Sequence, residues 1–472
     1  MKRLLTVLAV LGSLSAAVAA ARSTFATAVV GLPAPAATHH PPDILLVTID
    51  ALRADHLSSY GYPLFTSPTL DAFARHAVRF TNAIAQAPYT KASVASIMTG
   101  QYPSGHKTVT ASVPFAETMT GHLTTVPIAT DVLPSSMTTL AQAVRSAGYQ
   151  TQAFTANPFL IEAFGFARGF DRFRFYPGPD FADSDRLVAD AIDAARDSDS
   201  RRPLFTWVHV MEPHSPYTPP RLTTAMFPVS GPAQPIPLQV AIPGWLLPGS
   251  PRDRRLYLAA YDEDVAAVDV AVDTLVREFR TMRAWRDTIV VVTADHGEQF
   301  LDHGGWEHGT NLYDELIRVP LLIQAPKSAP GVVDAQVQLI DLFPTLASIV
   351  GAAVPKDRPI DGVDQSSFFT GKSEKSAREG ILIWCADRLQ AVKWRNFKVH
   401  FYQQETMVSP PIKLAIPLLF NLYTNPREDA DKVITDSWIF GPVLKMIGEF
   451  DASVKKNPLI AMGTPDPYTS PR

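Results

Sequence analysis

Residues Asp43–Asp50 read DILLVTID, an apolar run of buried-strand length that stops on a carboxylate. Three later segments have the same form. YQTQAFTAN (Tyr149–Asn157) ends on an amide, LFTWVHVMEPH (Leu204–His214) runs on to a histidine, and DTIVVVTADH (Asp287–His296) ends on Asp-His. Between them lie stretches such as Arg255–Phe279, where apolar residues recur at three and four positions, the helical period. Strands alternating with helices define an α/β fold: a large, mainly parallel sheet flanked by helices. In such sheets ligands sit just beyond the carboxyl ends of the strands. Asp50, His214, Asp295 and His296 all fall there, on three strands. One of them alone would read as a cap on a strand end; together they predict a site.

The composition fits a folded enzyme-sized chain. Of 472 residues, 46% are hydrophobic and 19% charged, and the formal net charge of −4 gives nucleic acid no electrostatic footing. Forty-one prolines point to long ordered loops over the scaffold, of which Ala225–Pro251 is the most extended. MKRLLTVLAVLGSLSAAVAAA has a basic start, an apolar run and small residues at Ala17, Ala19 and Ala21. It reads as a secretory signal over residues 1–21, cleaved near Ala19 to Ala21, or as an uncleaved anchor; the small-residue end suits cleavage. Export to the periplasm or the medium is the expectation, with membrane contact only if this segment stays attached. Residues 22–41 form a spacer, 42–370 the main domain, and 375–472 a C-terminal subdomain whose LQAVKWRNFKVHFY (Leu389–Tyr402) alternates like antiparallel strands. The single cysteine, Cys385, excludes an intrachain disulfide and reads as a buried apolar residue.

The chemistry concentrates in two places. In TADHGEQFLDHGGWEHG (Thr293–Gly309) a buried strand ends on Asp295-His296, and a glycine-rich turn returns His303 and His308. Aspartate and neutral histidine are ligands for a divalent cation, Asp50 adds an oxygen from another strand, and Gly297 lets the backbone pass close by. The second place is QAPYTKASVASIMTG (Gln86–Gly100), where Thr90 opens a helix whose free N–H groups favour an anion. A threonine there is often only an N-cap. Beside a cation it becomes a candidate nucleophile and a fourth metal contact, because coordination lowers the hydroxyl pKa.

The run from DILLVTID through QAPYTKASVASIMTGQYPSGH, with PHSPYTPP, TADHGEQFLDHGGWEHGTNLYDELIRVPLLI and IDLFPTLASIVG, resembles the sulfatase family of the alkaline-phosphatase superfamily. AVKWRNFKVHF and PLLFNLYTNPRED resemble the C-terminal subdomain of arylsulfatases. The resemblance implies a small antiparallel sheet after the main one, one divalent metal ion and a covalent intermediate. It matches Asp50, Asp295 and His296 to metal ligands, Thr90 to the nucleophile, and His214 and His308 to histidines that contact the transferred group or protonate the leaving group. Two departures bear on the reaction. The family's C/S-x-P-S-R appears here as Thr90-Lys91-Ala92-Ser93-Val94, and the second Asp of its Asp-Asp pair is Ala51. Threonine cannot become formylglycine, since its extra methyl would yield a ketone, but it can attack phosphorus. Lys91 and His303 are candidate substrate contacts, Lys91 in place of the lost arginine. The expected activity is hydrolysis of sulfuric or phosphoric/phosphonic esters of small-molecule, glycan or lipid-derived alcohols, with Ca, Zn or Mn. Transfer to an alcohol acceptor and a catalytically idle binding protein are the alternatives.

Overall fold

The computed structural model describes residues 41–109, 132–177, 184–217, 226–227, 229–282, 287–326, 328–356, 359–369, 375–404, 409–461, 464 and 466. The signal segment and nearly all of the spacer lie outside them. The strands of the main sheet are β1 Asp43–Ile49, β2 Val78–Ile84, β3 Gln150–Thr155, β4 Arg172–Phe175, β5 Leu204–Val210 and β6 Thr288–Ala294, followed after a short hairpin (β7 Gln299–Phe300, β8 Trp306–Glu307) by β9 Arg318–Gln324, β10 Gly331–Val333 and β11 Val337–Gln338. They lie in the order β10-β2-β9-β6-β1-β5-β3-β4, with β11 on β2. All seven residues of β1, of β5 and of β6 are buried, which is why they read as predominantly apolar runs.

The sheet is parallel except around β9, which runs antiparallel to both β6 and β2. A parallel return needs a crossover, usually a helix, to carry the chain back to the starting edge. Residues 295–317 contain only the hairpin and one helical turn, so the chain re-enters the sheet from the end it left. That reversal keeps the whole 295–317 segment at the carboxyl ends of β6 and β1.

Helices α1 Thr90–Thr99, α2 Ser184–Arg196, α3 Arg254–Met282 and α4 Leu342–Val350 flank the sheet. Every residue of α1 is buried, and the helix stops at Gly100, whose φ of +67° suits glycine at a helix end.

The C-terminal subdomain is a separate antiparallel sheet of β12 Gly380–Cys385, β13 Arg388–Trp394, β14 Phe397–Gln403 and β15 Ile412–Asn421, backed by α5 Phe440–Lys456. Its two faces are both used. Leu382, Trp384, Val392 and Val399 pack with Val443 of α5, while Ile381, Ile383, Cys385 and Ala391 pack on Ile84, Leu312, Leu316 and Ile317 of the main domain. Burial pushes the Cys385 thiol up to about 12, in keeping with an inert apolar role. The Trp384 amide donates to the Gln86 carbonyl, so β12 abuts the segment that leads into α1.

Lys393 and Lys398 face each other across β13 and β14 and have opposite surroundings. Lys398 Nζ donates to Asp314 (2.7 Å) and the Leu312 carbonyl (2.9 Å) and pairs with Glu428 (2.6 Å). Among the described residues Lys393 Nζ donates to the Asn82 amide oxygen, at 2.5 Å, and burial with Lys398 and Arg318 nearby lowers its pKa from 10.5 to about 8, despite Asp314. Lys398→Met is therefore expected to destabilise by about 3 kcal/mol, since it removes the ammonium that the buried Asp314 and Glu428 share and leaves Glu428 only His400 (3.0 Å) and the Asp314 N–H (2.8 Å) among the described residues. Lys393→Met should stabilise at pH 7 by on the order of 2 kcal/mol, once the lost Asn82 hydrogen bond is deducted. The folded state binds fewer protons at Lys393 than the unfolded chain, so the wild-type penalty is complete below pH 8 and fades towards pH 10.5. Denaturant melts at pH 7 and pH 10 check both signs.

Candidate active site

Asp50 follows the last residue of β1 and Asp295 the last of β6, neighbours paired in parallel register. Ala51 takes a φ of +55°, turning the chain so that its N–H donates to Asp295 Oδ1 (3.3 Å). The His296 N–H donates to the same oxygen (2.9 Å), which leaves Asp295 Oδ2 buried with no hydrogen-bond partner. His296 Nδ1 lies 2.8 Å from the Gly297 carbonyl, so the hydrogen sits on Nδ1 and the Nε2 lone pair faces inward. That Nε2 is 3.4 Å from Asp50 Oδ1 and 3.5 Å from Asp295 Oδ2.

Gly297 has a different role from the one its sequence suggests. A side chain there would collide with the Glu315 carbonyl, and its N–H donates to Leu316 (2.8 Å). The glycine lets the strand end cross the returning backbone, while its carbonyl fixes the His296 ring (2.8 Å).

Thr90 stands at the start of α1, 3% exposed, and its side chain does not cap the helix. Its hydroxyl is 3.3 and 3.4 Å from the Asp50 oxygens and 3.1 Å from His296 Nε2. The hydroxyl and the Asp-His couple two hundred positions later thus share one buried cluster. Ser93, one turn along α1, donates to the Asp295 carbonyl (2.6 Å) and ties helix to strand end.

Two further residues complete the cluster, and neither was singled out from the sequence. Asn157, just past β3, donates to Asp50 Oδ2 (2.6 Å) and to Thr90 Oγ1 (3.4 Å). His209, inside β5, lies opposite Thr48 of β1. Trp207 Nε1 donates to the Thr48 hydroxyl (2.9 Å), and that hydroxyl donates to His209 Nδ1 (2.8 Å). His209 Nε2–H is then directed at Asp50 Oδ2 (3.2 Å).

Burial alone would raise the Asp50 carboxyl, but His214, the His209 hydrogen bond and His296 outweigh it and hold it well below the carboxylate range. Burial and the charge of Asp50 push Asp295 well above that range. Two carboxylates and an imidazole lone pair thus converge, with ligand atoms within 4.8 Å of one another. This donor set, with its orphaned oxygen and like charges, fits a divalent cation.

On the outer side His214, His308 and His296 lie in a row, with ring centroids 4.3 Å apart and tilted for His296–His308 and 4.9 Å apart and edge-on for His214–His308. His214 Nδ1 donates to the Ser215 carbonyl (2.6 Å). Burial would lower its pKa, but Asp50, Glu298, that carbonyl and Glu307 raise it above the ordinary histidine value. His308 is lowered to about 4 by burial and by His214, and its Nδ1 lies 3.1 Å from Glu298. Burial raises Glu298 to about 7 against the pull of the histidines, and it also accepts from Tyr217 (3.0 Å). Of the two outer histidines, only His214 is pushed towards the protonated form.

Lys91 is buried beside Thr90, with its ammonium 3.7 Å above the centre of the Phe164 ring. His303 is not in the cluster. Its Nδ1 meets Glu315 (2.7 Å), its Nε2 the Arg427 carbonyl (2.9 Å), and its ring stacks on Tyr313 at 3.6 Å. Both nitrogens face acceptors, so neither is left for an ester, and His303 lines a separate polar cavity of about 620 Å³ with Arg53, Asp302 and Lys393. The expected substrate contact by His303 is corrected to a structural bond joining the hairpin segment to the C-terminal subdomain.

Strand-end carboxylates, a helix-borne hydroxyl and a group of histidines converge at the carboxyl edge of the sheet, a set of groups suited to hydrolysing anionic esters. The sequence matches the Sulfatase family over residues 42–352, and the chain belongs to that family of ester hydrolases. Mouse steryl-sulfatase is 26% identical over 455 residues, covering 77% of this chain and 71% of its own. The Delta 4,5-hexuronate-2-O-sulfatase of Bacteroides thetaiotaomicron is 24% identical, covering 74% and 76%. The phosphonate monoester hydrolase of Agrobacterium radiobacter shares the fold, with a TM-score of 0.66 at 20% identity over 88% of this chain and 96% of that one.

Proposed function

We propose that this chain is an exported hydrolase of phosphoric or phosphonic monoesters or diesters, acting through a covalent Thr90 intermediate. The observation that carries the reading is the Thr90 hydroxyl lying 3.1 Å from His296 Nε2 and 3.3 Å from Asp50 in a buried cluster. Asp50, Asp295 and His296 would hold a divalent cation, which supplies charge neutralisation for the transferred group and an acidified hydroxyl. Asn157 and Asp50 orient Thr90 Oγ1, which releases its proton to solvent as it attacks phosphorus and takes one back when water later displaces it. The bond to the alcohol breaks as His214 gives its proton to the leaving oxygen. Water then cleaves the phosphothreonine, and its proton returns to His214. The backbone N–H groups at the start of α1 and the Lys91 ammonium offset negative charge where Val94 cannot. His308, held by Glu298, is the neutral partner that contacts the transferred group.

Threonine favours phosphorus because no aldehyde can form at its Cβ, so expulsion of sulfate from a hemiacetal is not open to it. Purified protein assayed with nitrophenyl sulfate, phosphate, phosphodiester and phenylphosphonate, with and without glycerol as acceptor, tests this. Phosphorus esters should be turned over at least ~10-fold faster than the sulfate. Dominant sulfate turnover would overturn the phosphorus preference, and product that appears only with glycerol would make the protein a transferase.

A further inference from the structure

The mouth of the site carries a carboxylate that the hydrolysis above does not use. Glu307 closes the β7–β8 hairpin beside His308 and holds a φ of +59°, the left-handed region that a non-glycine residue rarely adopts. Residues held there against their preference concentrate at ligand-contacting positions. Its Oε1 accepts from Trp245 Nε1 (2.8 Å) and from the Ser215 hydroxyl (3.4 Å), the residue next to His214. Its charge is felt at both His214 and His308. Glu307 therefore lies on the side from which the alcohol departs.

Trp245 belongs to the proline-rich stretch and remains 63% exposed although its N–H is bound to Glu307. A fixed indole with an open face beside a carboxylate recognises organic cations, through ring quadrupole and ion pairing together. A carboxylate in this position also repels any second anionic group on the substrate. We propose that Glu307 and Trp245 form a leaving-group subsite that selects esters of ammonium-bearing alcohols and disfavours polyanionic ones. This rests on the ester-hydrolase reading and names its substrate class.

The competing role for Glu307 is a pin that fixes the loop through Trp245. Glu307→Gln separates the two, because the amide oxygen still accepts both hydrogen bonds while the charge is gone. Three aryl phosphates serve as probes, with trimethylammonio, nitro or carboxylate substituents on the ring. Wild type should prefer the cationic ester to the anionic one, and that ratio of kcat/KM should fall by roughly 10-fold in Glu307→Gln, with the neutral ester changed less than about 2-fold. Trp245→Leu should lower the same ratio by about 3-fold or more. Equal effects on all three esters, or a wild-type preference for the anionic one, overturn the subsite. Calorimetric affinities in Thr90→Ala and Thr90→Ala/Glu307→Gln read the same ratio without turnover. A neutral ester that wild type leaves intact counts against the hydrolase reading, while the affinity ratio still decides the subsite.

Discussion

Thr90→Ala is expected to reduce turnover of phosphorus esters by at least ~10³-fold, with the protein folded and its metal content unchanged. The hydroxyl contributes no helix cap, so its loss removes chemistry without opening the helix end. Thr90→Ser keeps the oxygen among Asp50, Asn157 and His296 and should retain activity to within roughly tenfold. Acid-quenched wild type should carry one phosphoryl group on the peptide containing Thr90, and the alanine variant none. Activity that survives Thr90→Ala would remove the nucleophile from the mechanism.

Chelation should give the second large effect, on stability as well as on rate. Asp50 and Asp295 lie buried against His296, and neither meets a lysine or arginine among the described residues. A cation present at about a thousand times its dissociation constant stabilises the folded state by about 4 kcal/mol, which chelation removes. Asp295→Asn should cut turnover more than ~100-fold yet leave the metal-free protein more stable than chelated wild type, because one of two converging buried carboxylates has become neutral. Thermal melts of both proteins with and without chelator check this. A variant less stable than chelated wild type would show that Asp295 serves the fold and not an ion.

Much of this arrangement was legible in the chain. The strand runs at 43–50, 204–214 and 287–296 are marked by their dominant apolar character, and their polar ends point to the cluster. His209 escaped notice because its direction depends on the cross-strand pairing with Thr48, which one strand read alone does not reveal. Asn157 was visible as a strand end, but an amide there is as often a turn former. His303 sat among the right neighbours in sequence, but Glu315 and a carbonyl 124 positions away hold its ring elsewhere. The antiparallel β9 was hidden for a related reason: a strand's direction is set by the path of the loop before it.

The bond between Trp384 and Gln86, and that between Lys393 and Asn82, 311 positions apart, have a consequence for biosynthesis. At about 5–20 residues per second, a ribosome needs about 15–60 s to deliver the later partner after the earlier one has emerged. The wall beside the nucleophile is laid late, so nascent chains halted before β13 would hold the reactive threonine without its completed enclosure.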